Sequence, residues 1–62
     1  MLVRVNSEKR KLGYSGDVKG LLKLLKVQKE TVVVAKNGKI VPETETVGGN
    51  DEVELIKVIF GG

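Results

Sequence analysis

The sequence predicts a single α+β domain, a roll in which one helix packs on one face of a mixed sheet of four to five strands. The chain has 62 residues, which leaves room for one domain over residues 1–62. Apolar and polar residues alternate near both ends, as in strands, and one stretch between them has helical spacing. A β-branched run followed by Asn37 and Gly38 predicts a hairpin in the second half.

The N-terminal segment predicts a hairpin. Met1, Val3 and Val5 recur with a period of two, which is typical of a half-buried strand. We expect a turn over residues 7–9 and a returning strand over residues 10–15, where Leu12 and Tyr14 continue the alternation.

The helix is predicted from a change of period after residues 15–17. The next apolar residues lie at i, i+3, i+4 and i+7 and form one stripe: Val18, Leu21, Leu22 and Leu25. Asp17 is the expected N-cap, because its carboxylate can accept from the amides of the first turn. The helix is expected to be short, about ten residues. Gly20 is expected to weaken it by about 1 kcal/mol relative to alanine.

The second half predicts three strands. Residues 31–35 are β-branched and indicate a strand covered on both faces. Asn37 and Gly38 fit a type I′ turn, and residues 39–41 return as a short strand that ends at Pro42. Residues 43–47 are expected to be a polar connection, and residues 48–51 a tight turn. The last strand is expected over residues 52–59.

The last strand is apolar on both sides. Val53 and Leu55, with Ile59, are expected to point to the core, whereas Ile56, Val58 and Phe60 point the other way. One helix covers one face of a sheet, so the second set is expected to be exposed and to form a docking surface. The alternative is that the segment of residues 43–47 covers this side of the strand.

The composition disfavours a self-contained enzyme. The chain has no His and no Cys, so the usual general acid–base group, a thiolate nucleophile and the imidazole or thiolate ligands of a metal are all missing. No metal site is expected. There is also no apolar run long enough to cross a bilayer and no signal-peptide pattern at the N-terminus. A soluble cytoplasmic domain without a membrane partner is therefore expected.

The charge is uneven along the chain. The net charge is +3, with +5 over residues 1–31 and −2 over residues 32–62. The basic half is interpreted as a solvated face; the alternatives are contact with an acidic protein surface or with a phosphate backbone. A nucleic-acid-binding module is a less favoured hypothesis, because one Tyr, one Phe and no Trp offer little surface for base stacking.

Gly61 and Gly62 follow directly on the apolar strand. A frayed tail is one interpretation, but it does not explain why the glycines follow an extended apolar run. The chemical interpretation is that the terminal carboxylate reacts after activation by another protein. Glycine permits the closest backbone approach, so residues 60–62 are expected to form an extended tail that enters a narrow passage.

These residues resemble a known family. The ending NDEVELIKVIFGG (residues 50–62) and the hairpin VAKNGKIVP (residues 34–42) are similar to the ThiS/MoaD family of ubiquitin-like sulfur carriers, a group that includes the small archaeal modifier proteins. The resemblance covers nearly the whole chain and implies a β-grasp fold. The ending is closer to ThiS than to MoaD, which usually has prolines where this chain has Lys57 and Val58.

The resemblance implies a sulfur carrier that is not an enzyme and binds no cofactor itself. An activating enzyme similar to ThiF or MoeB would use ATP to adenylate the Gly62 carboxylate. A sulfur donor such as a cysteine desulfurase or rhodanese would convert the adenylate to a thiocarboxylate. The acceptor would be a synthase for thiazole (in thiamine synthesis) or molybdopterin, or a tRNA-thiolating enzyme. Gly61 would be the spacer, and the partner-binding residues would be Ile56, Val58, Ile59 and Phe60.

A second function is compatible with the same tail. The activated Gly62 carboxylate could be attacked by a lysine of a target protein, which would make the chain a ubiquitin-like modifier. The sequence does not separate conjugation from sulfur carriage, because both need the same terminal glycine.

Overall fold

A computed structural model describes residues 1–58 of the chain. In this part, five strands form one sheet in the order β2-β1-β7-β4-β5, and two short strands, β3 and β6, pair separately. β1 and β7 are parallel, and the other pairs are antiparallel. The predicted roll with a mixed sheet is therefore confirmed. The elements are β1 (Leu2–Val5), β2 (Glu8–Lys11), β3 (Gly16–Asp17), α1 (Val18–Leu24), a 3₁₀ helix (Lys29–Thr31), β4 (Val32–Lys36), β5 (Lys39–Val41), β6 (Thr46–Val47) and β7 (Glu52–Lys57).

The first hairpin turns earlier than predicted. Asn6 and Ser7 have φ values of 49° and 71° and form a two-residue turn that pairs Val5 with Glu8. Positive φ at both positions matches the twist of the two strands. The predicted strand over residues 10–15 is wrong at both ends, because β2 covers Glu8–Lys11. Its pairing with the first strand ends at Leu12, whose amide donates to the Met1 carbonyl at 2.8 Å.

The helix is capped as predicted and is shorter than expected, at seven residues. The Asp17 carboxylate accepts from the Gly20 amide at 2.8 Å. The C-terminal end is closed by two backbone bonds, Lys26 N–H to the Lys23 carbonyl and Val27 N–H to the Leu22 carbonyl. Lys26 has a φ of 58°. This is the Schellman arrangement, which normally uses glycine at the position of Lys26.

Residues 43–47 do more than connect two strands. β6 pairs with β3, and the amides of Val18 and Lys19 donate to the carbonyls of Glu45 and Glu43 at 2.8 and 3.0 Å. These bonds attach the first turn of α1 to this segment. The segment therefore lies on the helix side of the sheet, and the alternative in which it covers the other side of the last strand is wrong.

The core lies between α1 and one face of the main sheet. No polar or charged residue is buried within residues 1–58, and no helix of this part is long and apolar enough to span a membrane. The buried side chains of the core are those of Val3, Val18, Leu21, Leu22, Val34, Val47, Val53 and Leu55.

Candidate docking site

Alternate side chains of β7 lie on opposite sides of the sheet, as predicted. Val53 and Leu55 are buried on the helix side, whereas Ile56 points to the opposite side and is 39% exposed. β7 lies in the middle of the sheet, between β1 and β4. Side chains on its outer side therefore lie near the centre of the sheet face that α1 does not cover, which we call the open face.

Three apolar side chains of β4 and β5 share the open face with Ile56. Val33 is paired with Ile56, and Ala35 is paired with Ile40, which is 64% exposed. We call Val33, Ala35, Ile40 and Ile56 the open-face patch; Ala35 is buried, and Ile40 and Ile56 are its exposed members. The strand over residues 31–35 was expected to be covered on both faces. On the open face Val33 is only half-buried, because α1 packs on the other face and the described part of the chain adds no second layer here, whereas Ala35 on the same face is buried.

Ile40 was missed as a surface residue by the sequence reasoning. The sequence contains the information needed to place Ile40, because the two-residue turn at Asn37–Gly38 fixes the register of the hairpin. That register places Ile40 opposite Ala35, on the side away from Val34 and the core.

Charged side chains border the patch on the side of β1 and β2. Glu54 precedes Ile56 on the open face, Arg4 is paired with Glu54, and Lys9 is paired with Arg4. Arg4 thus lies between an opposite charge on β7 and a like charge on β2. The open face is thus apolar over β4 and β5 and, apart from Leu2, charged over β1 and β2. This arrangement suits a partner whose surface has an apolar region beside a charged region.

A hydrogen-bond network fixes the strands that carry the patch. Asn37 at the β4–β5 turn donates from Nδ2 to Asp51 Oδ1 at 3.1 Å and accepts at Oδ1 from the Glu52 amide at 2.9 Å. Asp51 Oδ2 accepts from the Gly48 amide at 3.0 Å. The hydrogen bond from Asn37, followed by that from Gly48, lowers the pKa of the Asp51 carboxyl. The network joins the turn after β4 to the start of β7.

The described part of the site offers contact surface. No group of three or more Asp and Glu side chains in residues 1–58 is arranged to hold a metal ion. Val58 is half-buried, and its amide donates to the Thr31 carbonyl at 3.0 Å. The other residues predicted for the site, Ile59, Phe60, Gly61 and Gly62, lie outside the described residues. In the sequence they directly follow Val58, which is two residues after Ile56 of the patch.

Comparison with known proteins identifies one family. The model of the ThiS family matches residues 3–62. The crystal structure of a thiamine biosynthesis protein (ThiS) from Geobacter metallireducens is 35% identical, with a TM-score of 0.71, and the match covers 100% of both chains. An NMR solution structure of a thiamine biosynthesis protein from the same organism is 30% identical, with a TM-score of 0.63, covering 100% of this chain and 88% of that one. No curated protein matches. The similarity to the crystal structure confirms the predicted β-grasp fold.

Proposed function

The chain belongs to the ThiS family, and from this membership we propose that it is a sulfur carrier in thiamine biosynthesis. The observation that carries the proposal is the family match through residue 62, which includes both terminal glycines. The resemblance of the whole chain to a thiamine biosynthesis protein of known structure supports the same role.

The proposed chemistry takes place at the Gly62 carboxylate. One carboxylate oxygen attacks the α-phosphorus of ATP, pyrophosphate leaves, and an acyl-adenylate forms. The terminal sulfur of a persulfide on the donor protein then attacks the acyl carbon, and AMP leaves with the bonding electrons. A thiol cleaves the resulting sulfur–sulfur bond and leaves a thiocarboxylate on Gly62. A carboxylate alone is a poor electrophile, so activation is the step that makes the transfer possible.

The folded part of the chain has a binding role in this proposal. A ThiF- or MoeB-like activating enzyme supplies ATP and the catalytic groups, a desulfurase or rhodanese supplies sulfur, and a synthase accepts it. The partner contacts are assigned to Ile56, Val58, Ile59 and Phe60. Gly61 is the unhindered spacer before the reacting residue. The exposed apolar surface at Ile56 supports this assignment, because such a surface in the middle of a sheet is typical of an interaction site.

Intact-mass spectrometry tests the proposal. The full chain is incubated with an activating enzyme, ATP and a persulfide donor, and then with a thiol. We expect the mass increase that corresponds to replacing one carboxyl oxygen with sulfur, located on Gly62 by fragmentation. A variant that lacks residues 61–62 is the control and is expected to stay unmodified. Free acid alone in the complete mixture contradicts the proposal.

Peptide mapping of cell lysate proteins separates sulfur carriage from conjugation. Trypsin cleaves after Lys57, so a conjugated target would carry residues 58–62 on a lysine. We expect no such adduct when the thiocarboxylate forms. Adducts without any thiocarboxylate would identify a protein modifier instead.

A further inference from the structure

A second apolar surface lies on the helix side of the sheet, beside β2. It is a groove of ≈ 200 Å³ between the first hairpin and the C-terminal end of α1. Val5, Leu25 and Val27 are among its apolar lining, and Glu8 and Arg10 line it from β2. Sites for small molecules usually enclose about 300–1,000 Å³. The groove is therefore of a size for a few side chains of a peptide.

The groove lies next to an unpaired sheet edge. β2 is the outermost strand and pairs only with β1 among the described strands. Met1 and Leu12 exchange two hydrogen bonds, each 2.8 Å long. Because such pairs alternate along an antiparallel ladder, the backbone N–H and C=O groups of Lys9 and Lys11 point away from β1. An open strand edge beside an apolar groove is the geometry by which an extended peptide adds to a sheet.

The basic charge of the β2 edge favours an acidic peptide as the added strand. β2 contains one acid, Glu8, and three basic residues, Lys9, Arg10 and Lys11. Lys26 adds a further positive charge between two residues that line the groove, Leu25 and Val27. A second copy of β2 would bring like charges together, which opposes pairing between copies. An acidic strand would meet complementary charge.

The other edge of the sheet lacks this combination. β5 has three residues and is followed by Pro42, which has no N–H to donate. On its helix side, the segment of residues 43–47 is bonded to the first turn of α1. A groove of ≈ 400 Å³ lies beside β5 as well, between β4, β5 and α1. However, β5 is shorter than β2 and has one basic residue, Lys39, where β2 has three. A longer and strongly basic edge beside a groove is thus found at β2.

We propose that β2 and its groove bind an extended acidic segment of a partner protein, with aliphatic side chains alternating with Asp or Glu. The segment adds to the sheet beside β2, its aliphatic side chains enter the groove on the helix side, and its carboxylates lie on the opposite side of the sheet, where they meet Lys9 and Lys11. This inference goes beyond sulfur carriage and does not depend on it. It gives a role to the basic half of the chain, which the proposed chemistry at Gly62 does not use.

A titration with a defined peptide tests the inference. A fluorescein-labelled peptide of alternating valine and glutamate is added to the full chain, and binding is followed by anisotropy and by amide shifts in NMR spectra. We expect the largest shifts at Lys9 and Lys11. Lys9→Glu is expected to weaken binding by at least about tenfold, whereas Lys39→Glu, with the same charge change on the β5 edge, leaves it within about twofold.

A second peptide tests the backbone contacts without changing the protein. N-methylation of alternate peptide amides removes the donors that would bond to β2 and is expected to abolish binding. Three results would each overturn the proposal. They are equal weakening by the two charge reversals, amide shifts confined to the open-face patch, and undiminished binding of the N-methylated peptide. Tighter binding of a single-stranded oligonucleotide of equal charge would overturn it as well, because this would indicate a phosphate-binding surface.

Discussion

Gly20 lowers the helix propensity of α1, but it leaves the space that the Tyr14 side chain occupies. A Cβ at this position would collide with the Tyr14 hydroxyl and would lie 3.0 Å from Asp17 Oδ1. The Tyr14 hydroxyl donates to the Asp17 carbonyl at 2.8 Å, directly over the helix start. Glycine therefore permits Tyr14 to close over the N-cap, at the expense of about 1 kcal/mol of helix propensity.

Gly20→Ala is expected to be unfavourable in the wild-type chain and favourable in a Tyr14→Phe background. Removing the hydroxyl removes the closest collision, so the propensity gain of alanine then appears. The two effects of Gly20→Ala are expected to differ by about 1 kcal/mol in urea unfolding, the size of one hydrogen bond. An equal stabilisation by alanine in both backgrounds would show that Tyr14 does not constrain this position.

Asp51 gives the fold a pH-dependent contribution. Its pKa is lowered by the hydrogen bonds from Asn37 and Gly48. A carboxyl with a depressed folded-state pKa stabilises fully above its unfolded-state pKa of about 3.9, and this contribution disappears as the pH falls through the folded-state value.

Asp51→Asn is expected to lower the Tm at pH 7, and the difference from the wild type is expected to shrink between about pH 5 and about pH 2. Thermal unfolding across this range measures it. Glu52→Gln removes the same charge one residue later and is the control, since its side chain is exposed and lies outside the network. A difference that stays constant with pH would contradict the assignment.

At the scale of single residues, the sequence predicts features formed by neighbouring residues and misses contacts between residues that are far apart in the sequence. The Asp17 cap and the Asn37–Gly38 turn are contained in a few adjacent residues, and both are confirmed. The contact of Tyr14 with Gly20 and the bond between Asn37 and Asp51 depend on how separate segments fold together, which no short pattern encodes.

At the scale of the elements, the boundaries were the least predictable feature. The helix ends early because Lys26 adopts a positive φ, a conformation that its residue type does not signal. The first strand pair turns at Asn6–Ser7 because both residues accept positive φ, although neither is glycine. Of the open-face patch, the sequence predicted only Ile56, which follows from alternation in one strand, whereas the position of Ile40 requires the register between two strands.

Ile40→Asp tests the open-face patch as a docking surface. Ile40 is 64% exposed, so the substitution is expected to leave the Tm nearly unchanged. It is expected to raise the KM of the activating enzyme for this chain by at least about tenfold, because a charge would replace an apolar contact. Leu24→Asp is the matched control, since Leu24 is 55% exposed but lies on α1, on the other side of the sheet. Equal effects of the two substitutions would exclude the open face as the contact.

At the scale of the whole molecule, the fold divides three tasks among three surfaces. One sheet face and α1 form the core, the open face presents apolar residues around Ile56, and the β2 edge presents unpaired backbone groups in a basic setting. The family, and with it the proposed function, rests on the match over residues 3–62, which includes the two terminal glycines. The core alone indicates only the fold, because many functions share one fold.

The central claim is that the Gly62 carboxylate is the working group and the folded domain is its means of recognition. It is tested most directly by ATP–pyrophosphate exchange with the activating enzyme, comparing the chain with one extended by a single alanine after Gly62. The account predicts exchange with the first chain and none with the second, although the second still competes for the enzyme. Equal exchange by the two chains would contradict it.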